Sequence, residues 1–295
     1  MVTMPPERPA PVMRILLAVD GSSRSDGAAR FALWLAGRGA EVAVATVAEL
    51  PMEYRTGYPY PLPRREEIQR RTHEHLERVR RQLRRVGFRH VPSIHLGIEA
   101  PVRWIVEHAG DADLVVLGKS TRNPLERLLS DDVPANVARL SPVPVLAVPK
   151  PAEVPFTRAL AGIDFADASL RAAHRAASLL APGGALHLVH VRDAAAADHG
   201  DGPDPGTQAA QERLSELAAE LTTAHDIETT AEVRLGPIEP SLIQAAEEVD
   251  AQMIALGSHG HGFVDRLLLG STTMKLLRAA PCGVLVEPMA KGEAG

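Results

Sequence analysis

The sequence contains a single cysteine, few aromatic residues and no long apolar run. Because there is one cysteine, Cys282, no disulfide can form within the chain, which fits a reducing compartment, and its apolar neighbours indicate a buried thiol. Aromatic residues make up only 3% of a chain that is 45% hydrophobic, so the cores must consist of Val, Leu, Ala and Ile. No run approaches the ~18 apolar residues of a membrane span. Residues 1–14 lack the apolar core of a secretory signal, and we expect a cytoplasmic protein without membrane contact.

The charge is unevenly distributed along the 295 residues. Residues 1–150 carry 22 Lys/Arg and 17 Asp/Glu, a net charge of +5, whereas residues 151–295 carry 10 and 20, a net charge of −10. Because opposite charges attract, this distribution predicts electrostatic help for docking of the two halves or for assembly of chains.

The chain contains an internal repeat. Leu146–Pro149 matches Leu285–Pro288 at an offset of 139 residues, and the first predicted strand of each half matches at an offset of 144. A domain holds about 150 residues. The repeat therefore predicts two domains, residues 1–150 and residues 151–295.

Each half alternates predicted strands with predicted helices. The strands are almost continuously apolar, as in Leu114–Leu117 and Met253–Leu256, which is typical of a parallel sheet covered on both faces. This alternation predicts an α/β fold with two tandem doubly wound five-stranded parallel sheets. A ligand would bind beyond the carboxyl ends of the strands. Strands are predicted near 14–20, 42–48, 91–97, 113–118, 143–148, 158–164, 185–191, 228–235, 252–257 and 282–287.

One motif in the second half predicts anion binding. Gly257-Ser258-His259-Gly260 follows the fourth predicted strand, and nine residues later Gly270-Ser271-Thr272 opens a helix. Glycine allows a sharp turn and close approach of the backbone to a ligand, and the N–H groups and dipole of a helix start attract anions. The Ser271 and Thr272 hydroxyls can donate hydrogen bonds to phosphate oxygens. The motif predicts a phosphate site, and the alternative is an ordinary loop followed by a capped helix.

This motif, together with Asp164 at the end of the first strand, resembles the ATP-binding pattern of the universal stress protein family, and the resemblance covers essentially the whole chain as two tandem domains. It implies an adenine nucleotide alpha-hydrolase-like fold with strand order 3-2-1-4-5. It also implies that ATP or AMP, with or without Mg²⁺, binds in the second domain. The implied site residues are Asp164, Val191, Gly257, His259, Gly260, Gly270, Ser271 and Thr272.

The resemblance also implies the role of each group. Asp164 would contact adenine or ribose, and Val191 would line the base pocket. The glycine-containing segments would bind the phosphates. The turn after Asp164 departs from its counterpart, because Phe165-Ala166 follows Asp164 whereas Gly21-Ser22 follows Asp20. The sequence leaves the shape of this turn open.

The first half carries a degenerate copy of the motif. Gly118-Lys119-Ser120-Thr121 is followed after nine residues by Asp131-Asp132 in place of Gly270-Ser271. An Asp at a helix start caps the helix itself. It also repels phosphate, by about 4 kcal/mol for like charges at ~4 Å in an effective dielectric of ~20. Lys119 and Arg122 would offset part of this repulsion. We therefore expect nucleotide in the second domain only, with the first domain as a structural partner.

Other chemical interpretations have weaker support. His259-Gly260-His261 is similar to a nucleotidyltransferase motif, but that motif follows the first strand of its fold. His259, His261 and Asp265 lack an evident fourth metal ligand, so no metal site is predicted. The sequence contains no Gly-x4-Gly-Lys-Ser/Thr motif, and no general base can be identified, so no catalytic residue is predicted.

The segment Arg64–Arg89 contains ten arginines and four glutamates, which invites comparison with nucleic-acid-binding helices. Its apolar residues form one helical stripe, however, including Leu76, Val79 and Leu83. The charges then form the solvated face of an amphipathic helix, and no nucleic-acid partner is expected.

The sequence thus predicts a stress-response protein that binds ATP or AMP in its C-terminal domain and acts as a regulator or sensor. Two alternatives stay open: a scaffold whose motif is only structural, and a slow ATP hydrolase. In the family that the chain resembles, the last strand, here Val284–Val286, commonly pairs across domains. The resemblance therefore implies an intramolecular pseudo-dimer or a homo-oligomer, with an unidentified protein partner.

Overall fold

The structure is a computed structural model, which describes residues 12–48, 65–98, 100–119, 132–193, 204–258 and 269–289. Its N-terminal half consists of β1 (Arg14–Ala18), α1 (Asp26–Gly37), β2 (Glu41–Val47), α2 (Arg65–Val86), β3 (Ser93–Gly97), α3 (Pro101–Ala109), β4 (Leu114–Gly118), α4 (Val133–Leu140) and β5 (Val145–Val148). Its C-terminal half consists of β6 (Arg158–Gly162), α5 (Asp167–Ser178), β7 (Gly184–Arg192), α6 (Pro205–Ala224), β8 (Ile227–Leu235), α7 (Ile238–Glu248), β9 (Met253–Gly257), α8 (Ser271–Ala279) and β10 (Gly283–Glu287).

The strands form one continuous sheet in the order β3-β2-β1-β4-β5-β10-β9-β6-β7-β8. Within each half the order is 3-2-1-4-5 and the pairings are parallel, so the α/β class and the strand order are confirmed. The two five-stranded sheets are not separate, because β5 and β10 pair antiparallel through Val284–Ala147, Leu285–Leu146 and Val286–Val145. The halves therefore form a pseudo-dimer within one chain.

Helices cover both faces of the sheet, which explains why the strands are apolar on both sides. One core lies under α1, α2, α5 and α6, and the other lies under α3, α4, α7 and α8. Both cores are mainly aliphatic. Phe31 and Phe156, with ring centroids 4.6 Å apart, join the halves on the first face. Cys282 is buried as predicted, and this burial raises the pKa of its thiol to about 11.

The arginine-rich segment forms α2 with a solvated face, as predicted, but two polar side chains on it are buried. Gln82 donates from Nε2 to Ser22 O at 2.7 Å and to Asp26 Oδ1 at 3.0 Å. The His75 ring lies 2.7 Å from Thr46 Oγ1. The apolar stripe did not reveal these contacts, because they depend on hydrogen-bond partners in distant strands and turns.

The first half is basic and the second half is acidic, so we expected ion pairs between cations of the first and anions of the second. No such pair is found among the described residues. The ion pair that crosses between the halves there joins Arg278 of the acidic half to Asp132 of the basic half, at 2.8 Å. Across the described ranges, no helix is both long enough and apolar enough to span a membrane.

Candidate functional site

A cavity of about 230 Å³ opens at the carboxyl ends of β6, β7 and β9, where the order of strands reverses. Six of the eight predicted site residues line this one cavity. They are Asp164, Val191, Gly257, Gly270, Ser271 and Thr272. The other two, His259 and Gly260, lie outside the described residues, as do His261 and Asp265.

The Asp164 carboxylate lies at the mouth of the cavity with one side open. Its Oδ1 accepts a hydrogen bond from Ala166 N at 3.0 Å, and this is its only hydrogen bond from a described residue. The Ser169 hydroxyl stabilises the same turn. It donates to Ala166 O at 2.9 Å and accepts from Asp164 N at 3.3 Å. Asp164 therefore retains acceptor capacity toward the cavity, where it can receive hydroxyl groups of a ligand.

The turn after Asp164 has the same shape as its N-terminal counterpart, although Phe165 replaces Gly21. Both residues are left-handed, with φ of 64° at Phe165 and 76° at Gly21. This conformation is unusual for a bulky side chain. The ring of Phe165 is held between His190, with centroids 4.8 Å apart, and the Arg213 guanidinium, 3.9 Å from the ring centre. These contacts compensate for the strained backbone.

One wall of the cavity is apolar. Val191, Ile238 and Leu242 contribute to it, and Ile238 leaves 49% of its surface exposed. A large exposed apolar side chain beside polar groups is typical of a ligand pocket. Sequence reasoning predicted Val191 but missed Ile238 and Leu242, because a helical apolar pattern does not tell a pocket wall from a core.

The start of α8 is anchored to the end of β9. Thr273 Oγ1 donates to Gly257 O at 3.0 Å, and Gly270 N donates to Ser258 O at 2.8 Å. A Cβ atom on Gly257 would lie 3.0 Å from Ala168 Cβ and 3.1 Å from Ser169 N, which is tighter than usual, so glycine favours the close approach of β9 to α5. These contacts bring Ser271 and Thr272 to the cavity.

No side chain of a described residue caps α8. Gly270 occupies the N-cap position, with φ of −53° and ψ of 143°, and it supplies no capping oxygen. Orphan N–H groups at a helix start need partners, and an anion is a suitable one. The start of α8 therefore combines N–H donors, hydroxyl groups and the positive end of the helix dipole at the edge of the cavity.

The corresponding helix of the first half, α4, is capped by its own side chain. Asp132 is the N-cap residue, and its Oδ1 accepts from Ala135 N at 3.4 Å. Its Oδ2 accepts from Arg278 Nε at 2.8 Å. A carboxylate therefore stands at this helix start, as predicted. Ser120, Thr121, Arg122 and Asp131 lie outside the described residues.

The first-half carboxylate Asp20 also differs from Asp164. It accepts hydrogen bonds from Ser22 N at 3.0 Å, Ser22 Oγ at 2.8 Å and Ser25 Oγ at 3.0 Å, and it pairs with Arg24 at 3.3 Å. Burial would raise the pKa of Asp20, but these hydrogen bonds and the Arg24 charge outweigh it and lower the pKa. The carboxylate is thus occupied by its own turn.

Histidines near the cavity have structural partners. His190 Nδ1 lies 2.6 Å from Ile163 O and so donates to it, whereas His187 contacts Thr230 and Glu232. In the part of the chain that the structure describes, no group of three His, Cys, Asp or Glu residues could hold a metal ion. The described cavity combines an apolar wall with hydroxyl groups and the amides of a helix start.

A model of the universal stress protein family matches residues 11–149 and, a second time, residues 155–288. The chain belongs to the universal stress protein family. A universal stress protein of Mycobacterium tuberculosis is 29% identical over 201 residues, covering 65% of this chain and 67% of the relative. Universal stress protein A homolog 2 of Coxiella burnetii is 36% identical over 77 residues, covering 26% of this chain and 49% of the relative.

Solved structures show the same tandem universal stress fold. A universal stress protein from Archaeoglobus fulgidus has a TM-score of 0.67 at 22% identity and covers 95% of this chain and 97% of its own. A putative universal stress protein from Pseudomonas aeruginosa has a TM-score of 0.58 at 16% identity, with coverage of 94% and 93%.

Proposed function

We propose that the C-terminal half of this universal stress protein binds one adenine nucleotide, ATP or AMP, and that the protein acts in the cytoplasm as a nucleotide-dependent stress regulator or sensor. One observation carries the proposal. A single cavity combines an apolar wall, a carboxylate with open acceptor capacity and a helix start that no described side chain caps. These three features match the base, the sugar and the phosphate of a nucleotide.

In the proposed complex the base packs against Val191, Ile238 and Leu242. The open side of Asp164 accepts hydrogen bonds from ribose hydroxyls. The phosphates meet the amides at the start of α8 and the hydroxyls of Ser271 and Thr272, where the helix dipole favours negative charge. Mg²⁺ can accompany the phosphates, because this ion is commonly held by phosphate oxygens and water and needs few protein carboxylates. The described site offers no cluster of metal ligands of its own.

Binding is better supported than catalysis. Asp164 is the single titratable side chain among the described residues that line the cavity, and it turns toward the ribose position in this proposal. Phosphate hydrolysis requires a group that positions or activates water. In this proposal the nucleotide acts as a signal rather than a substrate. Its binding would change which conformations of the segment after β9 are populated, and so alter a partner surface or the assembly of chains.

The test introduces into the second half the residue that the first half has at the equivalent position, Asp131. Gly270→Asp places a carboxylate where the phosphate is proposed to bind, and like-charge repulsion of about 4 kcal/mol corresponds to roughly a thousandfold loss of affinity. Gly270→Asn is the matched control, because it has the same shape and capping ability without the charge. We expect titration calorimetry to detect one ATP or AMP per wild-type chain, a modest loss in Gly270→Asn and no binding in Gly270→Asp.

Each outcome has a defined meaning. Equal ATP affinity in the wild type and Gly270→Asp would refute the site. A wild-type protein that neither releases heat nor gains thermal stability with millimolar ATP or AMP would favour the scaffold alternative. Phosphate release that accompanies binding would favour the hydrolase alternative.

A further inference from the structure

The two halves are related by a pseudo-two-fold axis between β5 and β10. Leu146 pairs with Leu285, and these residues are equivalent positions of the repeat at the offset of 139. An interface in which equivalent residues face each other is isologous, so the equivalents of two contacting positions also lie opposite each other across it. This symmetry predicts contacts that neither half reveals by itself.

Applied to the ion pair between the halves, the symmetry identifies a second arginine. Arg278, in the last turn of α8, donates from Nε to Asp132 Oδ2 at 2.8 Å, at the start of α4. The equivalents of Arg278 and Asp132 at the offset of 139 are Arg139 and Ser271. Arg139 lies in the last turn of α4. A mirrored contact would bring Arg139 to the start of α8.

Arg139 is available for a ligand. Its side chain is exposed, and it makes one long hydrogen bond, from Nη2 to Asn136 Oδ1 at 3.3 Å. Within the described ranges it pairs with no carboxylate, whereas Arg278 pairs with Asp132. The two arginines thus occupy equivalent positions, and one of them faces an anion supplied by the chain.

The Asp132 carboxylate indicates what Arg139 would bind. In the first half this carboxylate accepts hydrogen bonds both from an N–H group of α4 and from the guanidinium of Arg278. In the second half the equivalent residue, Ser271, is neutral, and no described side chain caps α8. An anion held in the equivalent place would accept hydrogen bonds from N–H groups of one half and from a guanidinium of the other. The first half thus contains an internal precedent for such an anion site.

We propose that Arg139, a residue of the N-terminal half, binds a phosphate group of the adenine nucleotide held by the C-terminal half. This inference rests on the proposed nucleotide function and adds a residue that the motif does not contain. A guanidinium presents several N–H donors in a planar fork, which matches two phosphate oxygens. The nucleotide then contacts both halves. Its binding is therefore coupled to the packing of the two halves where β5 pairs with β10.

The first experiment compares two arginine variants and two ligands. Hydrogen bonds to a charged group are worth enough that Arg139→Ala is expected to weaken ATP binding about tenfold. Adenosine, which lacks phosphate, should bind the wild type and Arg139→Ala equally. Arg278→Ala is the matched control, because it removes the equivalent arginine near the other helix, and it should leave ATP affinity unchanged. Arg139→Lys should recover part of the loss, since it retains the charge without the fork.

A second experiment tests the geometry without nucleotide. Ser271→Asp introduces the carboxylate of the first half, and the symmetry predicts that it pairs with Arg139. A double-mutant cycle of Ser271→Asp with Arg139→Ala should therefore show a coupled shift in melting temperature. The cycle of Asp132→Ala with Arg278→Ala measures the natural pair and serves as the benchmark.

The outcomes separate this inference from the function on which it rests. Unchanged ATP affinity in Arg139→Ala, with normal binding by the wild type, overturns the role of Arg139 and leaves the nucleotide site standing. Absence of coupling in the Ser271→Asp cycle, with coupling in the benchmark, overturns the geometry. A wild-type protein that binds no nucleotide overturns the proposed function, and the role of Arg139 falls with it.

Discussion

The two halves of the chain have the same strand order and the same helix positions, yet they differ in what stands at one helix start. α4 begins with a carboxylate that caps it, whereas α8 begins with a glycine and two hydroxyl residues. In the first arrangement the Asp132 side chain accepts one of the helix-start N–H groups, and in the second no described side chain accepts any. The comparison teaches that two copies of one fold can differ at a helix start by a single side chain, which decides whether the helix caps itself.

Two residues of the first-half motif region make contacts between the halves. Lys119 is 3% exposed, and its Nζ donates to Ala280 O at 2.7 Å, at the end of α8. A cation at a helix C-terminus also interacts favourably with the helix dipole. Asp132 reaches Arg278 of the same helix. The degenerate motif thus helps to hold the partner half.

The largest effect is expected where the halves are equivalent. Leu146 and Leu285 are both fully buried and pair with each other, so truncation to Ala should lower the free energy of unfolding by about 2–5 kcal/mol in either case. Chemical denaturation of Leu146→Ala and Leu285→Ala measures both losses. The pseudo-two-fold axis predicts similar values. A much larger loss in one variant would mean that the two sides of the junction are packed differently.

Much of the fold could be predicted from the sequence because its signals are local or periodic. Continuous apolar strands such as Leu114–Leu117 indicate a parallel sheet, and the structure has β4 at Leu114–Gly118. The repeat offset related Gly257 and Gly270 to their counterparts, and the strand–loop–helix context brought them to one end of the sheet. Six predicted site residues consequently line one cavity.

The remaining features depend on contacts between distant segments, which a local pattern does not contain. Ile238 follows a turn and is 49% exposed, so nothing in its neighbours marks it as a pocket wall. Phe165 adopts a left-handed backbone because His190 and Arg213 hold its ring. The availability of Arg139 emerges only when the repeat is combined with the β5–β10 pairing.

A smaller effect should separate the two helix starts. Asp132→Ala removes an N-cap acceptor and the partner of Arg278, and it should cost about 1 kcal/mol of stability. Ser271→Ala removes an exposed hydroxyl that caps nothing, and its effect should stay within roughly 0.5 kcal/mol in the absence of ligand. Unfolding in urea without nucleotide checks the pair. If Ser271→Ala proved as costly as Asp132→Ala, α8 would have a cap of its own.

The smallest effect concerns Glu287, which replaces Val148 of the first half at the end of the last strand. The residue is 5% exposed, and its Oε2 has no hydrogen-bond partner among the described residues. Burial raises the pKa of Glu287 above the ordinary value of 4.5, although Arg175 and Arg171, each 3.7 Å away, oppose the rise. The net effect on stability should therefore be modest.

The sign of the pH dependence follows from this raised pKa. Below pH 4.5 the protonated carboxyl favours the folded state, and this contribution is lost as the pH rises through the folded pKa. Relative to the wild type, Glu287→Gln should therefore be more stable at pH 7 than at pH 4. Melting curves at both pH values measure the difference, and Glu287→Val, which copies Val148, should follow the same trend. A temperature gap that does not change with pH would mean that the two arginines fully compensate for burial, and that this position does not distinguish the halves electrostatically.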